Sequence, residues 1–194
     1  GSPLFCSGVV GSVRGFVVCD LVATVSMSEG ASVNTPEIQL VQAQSNDDWE
    51  VAKGLILEYS RSLSVDLCFQ NLDAELAGLN QMYGPANGTL LLAKVDEAWA
   101  GCCALRALPD TDYLNAAEMK RLYVRPAFRR FGLGRQLTES ILESARQLGY
   151  HTVLLDTLTD MEAARALYME LGFESIPPYY HNPIPGAHYL KVSL

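Results

Sequence analysis

Seven consecutive residues in the second half of the chain read Arg129-Arg130-Phe131-Gly132-Leu133-Gly134-Arg135. The two glycines carry no Cβ atom, so a ligand can approach the backbone closely there. Apolar residues recur at every third or fourth position after this stretch, which is typical of an amphipathic helix that begins at the glycines. The free N–H groups of a helix start attract anions, and the arginines add donors for bidentate contacts. The stretch therefore predicts a binding site for an anion, in particular a polyphosphate.

The same glycines fit other patterns less well. A Walker loop requires Gly-Lys-Ser or Gly-Lys-Thr, which is absent, and a dinucleotide fingerprint requires a third glycine where Leu137 stands. Both of these phosphate-binding patterns are excluded. One structural alternative stays open, in which Gly132 and Gly134 only form a turn into the helix and the arginines are solvated.

The elements on either side of this stretch follow from their apolar patterns. Alternation predicts a strand over Ala116 to Val124, which ends at Pro126 because proline lacks a backbone donor. The helical period predicts a helix from Phe131 to a stop at Gly149. A run of β-branched residues and leucines predicts a strand over Thr152 to Leu158.

The rest of the chain also alternates between strand and helix patterns. Hairpins at both ends, combined with strands that alternate with helices, predict an α/β fold with a mixed sheet. In chain order the further predicted elements are a strand at Ile38–Leu40, a helix capped by Asn46-Asp47-Asp48, a helix over Asp73–Met82, strands over Thr89–Val95 and Trp99–Leu105, a helix over Met161–Leu171 between a capping Asp160 and Gly172, and final strands over Phe173–Ile176 and Ala187–Leu194.

Composition limits the class of protein. A chain of 194 residues that is 49% hydrophobic buries one core, which favours one domain over residues 36–194. The net charge of -8 and the pI near 4.8 disfavour nucleic-acid binding, which requires a basic surface. The five cysteines form no C-x-x-C pair and no zinc spacing, so we expect neither a disulfide framework nor a metal site, and a reducing, cytoplasmic location.

Residues 1–35 are expected to lie outside the domain as a tag remnant and leader. The run from Pro3 to Ser26 is apolar but is interrupted by Arg14 and Asp20. A secretory signal requires an unbroken apolar region, and a membrane helix requires about 20 apolar residues in a row. The sequence therefore predicts neither a signal nor a membrane association.

Two motifs together resemble a known family. Arg129-x-x-Gly132-x-Gly134, following Leu122-Tyr123-Val124-Arg125-Pro126, looks like the acetyl-CoA signature of the GNAT N-acetyltransferase superfamily, and Ala164–Phe173 resembles its second signature. The resemblance implies a mixed, mostly antiparallel and splayed central sheet flanked by helices. It also implies that the pantetheine of the cofactor lies between the strand Glu118–Val124 and the strand Thr152–Leu158.

The resemblance implies roles for individual residues. Leu122 and Val124 would offer backbone groups to the pantetheine and the acyl carbonyl. Tyr168 matches a tyrosine that faces the sulfur, where a phenol can protonate the departing thiolate. Met161 departs from the family, which often has asparagine there, and this puts one cofactor hydrogen bond in doubt. The residues expected to contact the cofactor are Leu122, Tyr123, Val124, Arg129, Arg130, Phe131, Gly132, Leu133, Gly134, Arg135, Ala164 and Tyr168.

An ammonium acceptor must lose a proton, so a base is expected near the centre of the sheet. Glu118, on the strand before the glycines, is the predicted base, and a sheet-surface glutamate without a chemical role is the alternative. The stiff loop Pro177–Gly186 either lines the acceptor pocket, with His181 as a second candidate base, or only connects two strands. An acyl-carrying Cys102 or Cys103 would represent a different class of mechanism.

The functional prediction is an acyl-CoA-dependent N-acetyltransferase. It would transfer an acetyl group from acetyl-CoA to an amine of a small molecule or peptide, by direct attack in a ternary complex and without a metal. The prediction also includes a homodimer as one oligomeric state. Two alternatives stay open: a non-catalytic acyl-CoA-binding module, and a structural or interaction protein without affinity for coenzyme A. Catalytic turnover would exclude the binding module, and binding of coenzyme A would exclude the structural or interaction protein.

Overall fold

The elements were obtained from a computed structural model, which describes residues 35–63, 71–86 and 88–194. The predicted leader, apart from Thr35, lies outside the described residues, so that prediction stays untested. In chain order the described elements are β1 Ile38–Gln42, α1 Asn46–Ser62, α2 Leu72–Ala77, α3 Leu79–Tyr83, β2 Thr89–Val95, β3 Ala98–Ala107, β4 Ala116–Val124, a 3-10 helix Pro126–Phe131, α4 Leu133–Gln147, β5 Thr152–Leu158, α5 Glu162–Glu170, β6 Glu174–Ile176 and β7 Ala187–Ser193.

The strands of the described ranges form one sheet in the order β1-β2-β3-β4-β5-β7-β6. All neighbouring pairs are antiparallel except β4 and β5, which are parallel. Helices cover both faces, so the mixed and mostly antiparallel fold class is confirmed. The parallel pair lies at the middle of the strand order, where α4 forms the crossover from β4 to β5.

The sheet splits between β4 and β5. The two strands pair only from Ala116 with Thr152 to Glu118 with Leu154. Beyond that point β4 carries a bulge: its register against β3 shifts, and Arg121 adopts a φ of 58°, which is rare for a residue with a side chain. A bulge bends its strand, so β4 turns away from β5 and a cleft opens between them.

A buried ion pair connects this bulge to α2. Arg121 donates to both carboxylate oxygens of Glu75, at 2.9 Å and 2.7 Å, and Tyr83 donates its hydroxyl proton to the same carboxylate at 2.8 Å. Both charged residues are almost completely buried. The pair therefore ties the helical segment that precedes β2 to the irregular part of β4.

The sheet separates two apolar cores. On one face α4 packs Leu133, Leu137 and Ile141 against inward side chains of β2 to β5. On the other face α1 contributes Leu55 and Ile56. No helix in the described ranges is long and apolar enough to cross a membrane, and these ranges contain no cluster of three metal-ligating side chains.

Three local predictions were wrong. The helix predicted over Asp73–Met82 is two short helices, because the chain leaves helical geometry at Gly78, a poor helix former. Helix α1 is capped by Ser45, whose hydroxyl accepts from the Asp48 N–H while the Asp48 carboxylate accepts in return from the Ser45 N–H. Met161, and not Asp160, occupies the N-cap position of α5, and no side chain caps that helix.

Candidate active site

The cleft between β4 and β5, named the donor cleft after the acetyl-CoA that the sequence predicts to bind there, holds a narrow cavity of about 70 Å³. Lys120 and Leu122 of β4, Asp156 of β5 and Ala164 and Tyr168 of α5 line it. No strand of the described chain pairs with β4 on its β5 side beyond Glu118. That edge of β4 is therefore free to offer backbone donors and acceptors to an extended ligand.

The start of α4 follows β4 in the chain, after the 3-10 helix Pro126–Phe131. Gly132 occupies the N-cap position with a φ of 68°, and no side chain caps the helix. An added Cβ atom would meet nothing within 4 Å at Gly132, and at Gly134 only a methyl carbon of Leu167 at 3.8 Å. Packing therefore does not require a glycine at position 134. The uncapped helix start and the open space above it fit an anionic group.

The predicted arginines lie on the surface around this helix start, in different environments. Arg129 donates from Nε to the Val124 carbonyl at 3.2 Å. The Arg130 guanidinium lies 4.9 Å from the centre of the Phe131 ring. Arg135 pairs with Glu170 and, at 3.5 Å, with Glu139, so an incoming phosphate would compete with these carboxylates.

The remaining predicted cofactor residues divide by the direction of their side chains. Leu122 and Ala164 line the donor cleft. The Tyr123 ring packs against Tyr59 in the core on the α1 face, and the Leu133 side chain is completely buried beneath α4. Neither Tyr123 nor Leu133 lines the donor cleft.

Tyr168 lies on the α5 side of the donor cleft. Its ring packs against the Phe173 ring, with 5.5 Å between the ring centres. Within the described part of the chain its hydroxyl has no hydrogen-bond partner. Burial raises the pKa of Tyr168 well above the usual value, with smaller contributions from nearby titratable groups. The phenol therefore stays neutral near pH 7 and keeps its proton available inside the cleft.

Glu118 does not line the donor cleft. It lies in a second cavity of about 430 Å³ between α2, β4 and the loop after β6, named the acceptor cavity after the amine pocket that the sequence predicts at that loop. Its carboxylate accepts from Arg106 at 2.6 Å and 2.8 Å and from the Tyr179 hydroxyl at 3.0 Å, and Lys120 lies 3.5 Å away. Burial alone would raise the pKa of Glu118, but Lys120 and Arg106 outweigh it and hold the pKa below the usual value. These contacts disfavour the predicted role as a base, because they lower the proton affinity and occupy the lone pairs.

Asp156 was not among the site residues predicted from the sequence. Its carboxylate lines the donor cleft, accepts from the Tyr180 hydroxyl at 2.8 Å and lies 3.7 Å from the Lys120 ammonium. The available signal was an acidic residue inside the apolar strand pattern Val153–Leu158. Because Lys120 lines both the donor cleft and the acceptor cavity, Asp156 lies next to the place where the two cavities meet.

The loop between β6 and β7 contributes to both cavities. Tyr179, Tyr180 and His181 line the acceptor cavity, and Asn182 and Ile184 line the donor cleft. The loop is therefore more than a connection between strands. His181 is exposed at the wall of the acceptor cavity and does not line the donor cleft, where Tyr168 lies.

Cys102 and Cys103 are poorly placed to carry an acyl group. Both thiols are completely buried. Burial raises the pKa of Cys102 to about 12 and that of Cys103 well above its usual value. Because the thiolate is the nucleophile, neither residue supports the covalent alternative.

Comparison with known proteins decides the family. The model of a family described as "Acetyltransferase (GNAT) family" matches residues 57–173. The chain belongs to the GNAT acetyltransferase family. This GNAT chain is 37% identical over 169 residues to an uncharacterized N-acetyltransferase of Schizosaccharomyces pombe, a match that covers 87% of the chain and 99% of that relative. It is 31% identical over 134 residues to human N-acetylaspartate synthetase, covering 69% of the chain and 43% of that relative.

Solved GNAT structures share the fold. An acetyltransferase from Streptococcus agalactiae superposes with a TM-score of 0.66 at 20% identity, covering 81% of this chain and 98% of that one. A putative acetyltransferase from Salmonella typhimurium, solved with its cofactor acetyl-CoA, gives a TM-score of 0.59 at 18% identity, covering 80% of this chain and 93% of that one.

Family membership confirms the predicted enzyme class. This GNAT protein is an acyl-CoA-dependent N-acetyltransferase with acetyl-CoA as co-substrate and an amine as acceptor. Its own residues fit that donor: the free edge of β4 offers backbone groups, and the uncapped start of α4 with the surrounding arginines offers donors to phosphate groups. The predicted alternatives of a binding module and of a structural protein are set aside.

Proposed function

We propose that this GNAT enzyme transfers the acetyl group directly to an amine of a small molecule, in a ternary complex. The observation that carries the proposal is the pair of cavities that share the Lys120 side chain as a common wall. A donor in one cavity and an acceptor in the other would bring their reacting atoms together near β4 and β5. Such juxtaposition accelerates a two-substrate reaction by removing the entropic cost of encounter.

In the donor half, the proposal assigns the anionic end of acetyl-CoA to the start of α4. Gly132 and Gly134 allow close approach there, and Arg129, Arg130 and Arg135 surround the position. The Leu122 and Val124 backbone on the free edge of β4 would hold the extended part. The bound donor supplies an acetyl group activated as a thioester.

Tyr168 is the proposed general acid. Its neutral hydroxyl lies in the donor cleft and has no partner in the described chain, so its proton is available to a departing thiolate. A positioned acid of this kind contributes about 10²-fold or more to a rate.

The acceptor half favours a small molecule. The acceptor cavity, at about 430 Å³, falls within the usual range for small-ligand sites, and the Tyr179–Tyr180 loop encloses part of it. Human N-acetylaspartate synthetase, by its name, makes N-acetylaspartate, a small N-acetylated molecule. Glu118 would support the cavity wall by holding Arg106 and Lys120 in place.

Thiol release from acetyl-CoA tests the proposal. The acceptor panel contains free amino acids, linear polyamines, amino sugars and short peptides with a free N-terminus. We expect release that depends on one or more of the small amines, with the acetylated product identified by mass spectrometry. Release with peptides alone would contradict the small-molecule acceptor, and no release with any amine would contradict the transfer itself.

A further inference from the structure

The position of Asp156 on β5 gives it access to the donor cleft. The last residue of β5 that pairs with β4 is Leu154, opposite Glu118, so Asp156 lies just beyond the point where β4 and β5 separate. It lines the donor cleft together with Tyr168, and its side chain is 14% exposed. A group placed there can reach a ligand that enters between the strands.

The contacts of Asp156 leave part of its carboxylate available. Oδ2 accepts from the Tyr180 hydroxyl at 2.8 Å, which fixes the orientation of the group. Oδ1 lies 3.7 Å from the Lys120 ammonium, too far for a hydrogen bond. An ionised carboxylate offers about four acceptor positions, so Oδ1 retains capacity for a further donor.

Lys120 links the two carboxylates of this region. Its ammonium lies 3.5 Å from Glu118 and 3.7 Å from Asp156, and its side chain is 8% exposed. Arg106 and Tyr179 also donate hydrogen bonds to Glu118. Of the two acidic groups, Asp156 is the one with both access to the donor cleft and an available oxygen.

We propose that Asp156 is a catalytic residue that binds the ammonium group of the acceptor and accepts its proton. This inference rests on the proposed function. The ammonium loses one proton to the Asp156 carboxylate, and the freed nitrogen lone pair forms the bond to the acetyl carbonyl carbon while the C–S bond breaks. Tyr168 protonates the departing sulfur and regains a proton from the acylated nitrogen, and Asp156 then returns its proton to water.

The proposal also defines the chemical class of the acceptor, which is an aliphatic primary amine that is protonated in solution. The charged and titratable groups that face Asp156 come from four elements and one loop of the described chain. They are Lys120 on β4, Tyr59 on α1, Tyr168 on α5, Tyr189 on β7, and Tyr179 and Tyr180 in the loop after β6.

The test compares the wild-type chain with Asp156→Asn and with Asp112→Asn, a matched change at an exposed loop position. The probe is the best aliphatic amine of the acceptor panel, and acetyl-CoA affinity is measured calorimetrically for all three proteins. At pH 7 we expect Asp156→Asn to lower kcat/KM for the amine by about 10²-fold or more. We expect Asp112→Asn to retain wild-type turnover, and all three proteins to bind acetyl-CoA equally.

The pH dependence separates a base from a structural residue. An alkylamine with a pKa of about 10.4 is almost wholly ammonium at pH 7, and its neutral fraction grows about tenfold per pH unit. The defect of Asp156→Asn should therefore shrink at least tenfold between pH 7 and pH 9.5, because neutral amine no longer needs the base. A merely structural defect would stay constant.

The outcomes distinguish this inference from the proposed function. Turnover within threefold of wild type for Asp156→Asn, or a defect that does not change with pH, overturns the role of Asp156 and leaves the acetyl transfer intact. Acetyl-CoA binding without turnover of any amine overturns the acceptor proposal and the role of Asp156 together.

Discussion

Tyr168 is buried and lines the donor cleft, and its hydroxyl has no hydrogen-bond partner in the described chain. Because burial raises its pKa, the residue is neutral and can donate a proton. We predict that Tyr168→Phe lowers kcat by about 10²-fold, since the departing thiolate loses its acid, while calorimetry shows unchanged acetyl-CoA affinity. Tyr113→Phe, at a tyrosine outside both cavities, is the control. A Tyr168→Phe rate equal to wild type would remove this residue from the mechanism.

A substitution at Gly134 is expected to affect cofactor binding without affecting the stability of the fold. A side chain there would meet only Leu167 within 4 Å, so the fold should tolerate one. The same side chain would enter the space above the start of α4 where the anionic end of the donor is proposed to bind. We predict that Gly134→Val weakens acetyl-CoA affinity at least tenfold and leaves the melting temperature nearly unchanged, measured by calorimetry and thermal unfolding.

Gly54→Val on α1 is the matched control for this change, because Gly54 also has open space around it but lies outside both cavities. It should bind acetyl-CoA as the wild type does. Unaltered affinity in Gly134→Val would show that the start of α4 is only a turn, which is the structural alternative that the sequence left open.

Single residues also mark the limit of sequence-based inference. The arginines and glycines of residues 129–135 are adjacent in the chain, so their local arrangement was predictable. The environment of Glu118 depends on Arg106 and Tyr179, which are 12 and 61 positions away. Contacts at that separation follow from the sheet order, which no local pattern contains.

At the level of elements, strands were predicted better than short helices. The bounds of β2, β4 and β5 were predicted correctly, because apolar runs and Pro126 delimit them. The bulge at Arg121 was not predictable, since a positive φ at a residue other than glycine leaves no signature in the sequence. The opening of the donor cleft depends on that bulge. No local pattern therefore predicted the cleft, and only the family resemblance implied it.

The ion pair between α2 and the bulge gives a prediction about stability. Removing the charge of Glu75 would leave Arg121 buried without a partner, which typically costs about 3–5 kcal/mol. We predict that Glu75→Gln lowers the free energy of unfolding by about that amount in urea titration. Glu50→Gln, at an exposed position of α1, should change it by less than about 0.5 kcal/mol. Equal midpoints for the two variants would contradict the assigned importance of the pair.

At the level of the whole molecule, a buried tyrosine hydroxyl and a buried thiol predict that the protein is less stable at alkaline pH. Burial raises the pKa of Tyr59 from 10.0 to about 12 and that of Cys102 from 9.0 to about 12. Above pH 9 the unfolded chain therefore releases protons that the folded chain retains, so the stability contributed at lower pH is lost as the pH rises toward 12. We predict that the free energy of unfolding falls by a few kcal/mol over this window, measured by urea titration at increasing pH. A flat profile would contradict the burial of these groups.

In the proposed reaction the acetyl group passes directly from the donor cleft to an amine in the acceptor cavity. A single-turnover reaction of the chain with acetyl-CoA labelled in its acetyl group, quenched after mixing with the acceptor amine, shows where the acetyl group goes. We predict that the label appears in the amine, at a rate matching thiol release, and that none is bound to the protein. Label held by the protein as a thioester, or label that stays entirely on acetyl-CoA, would contradict the account.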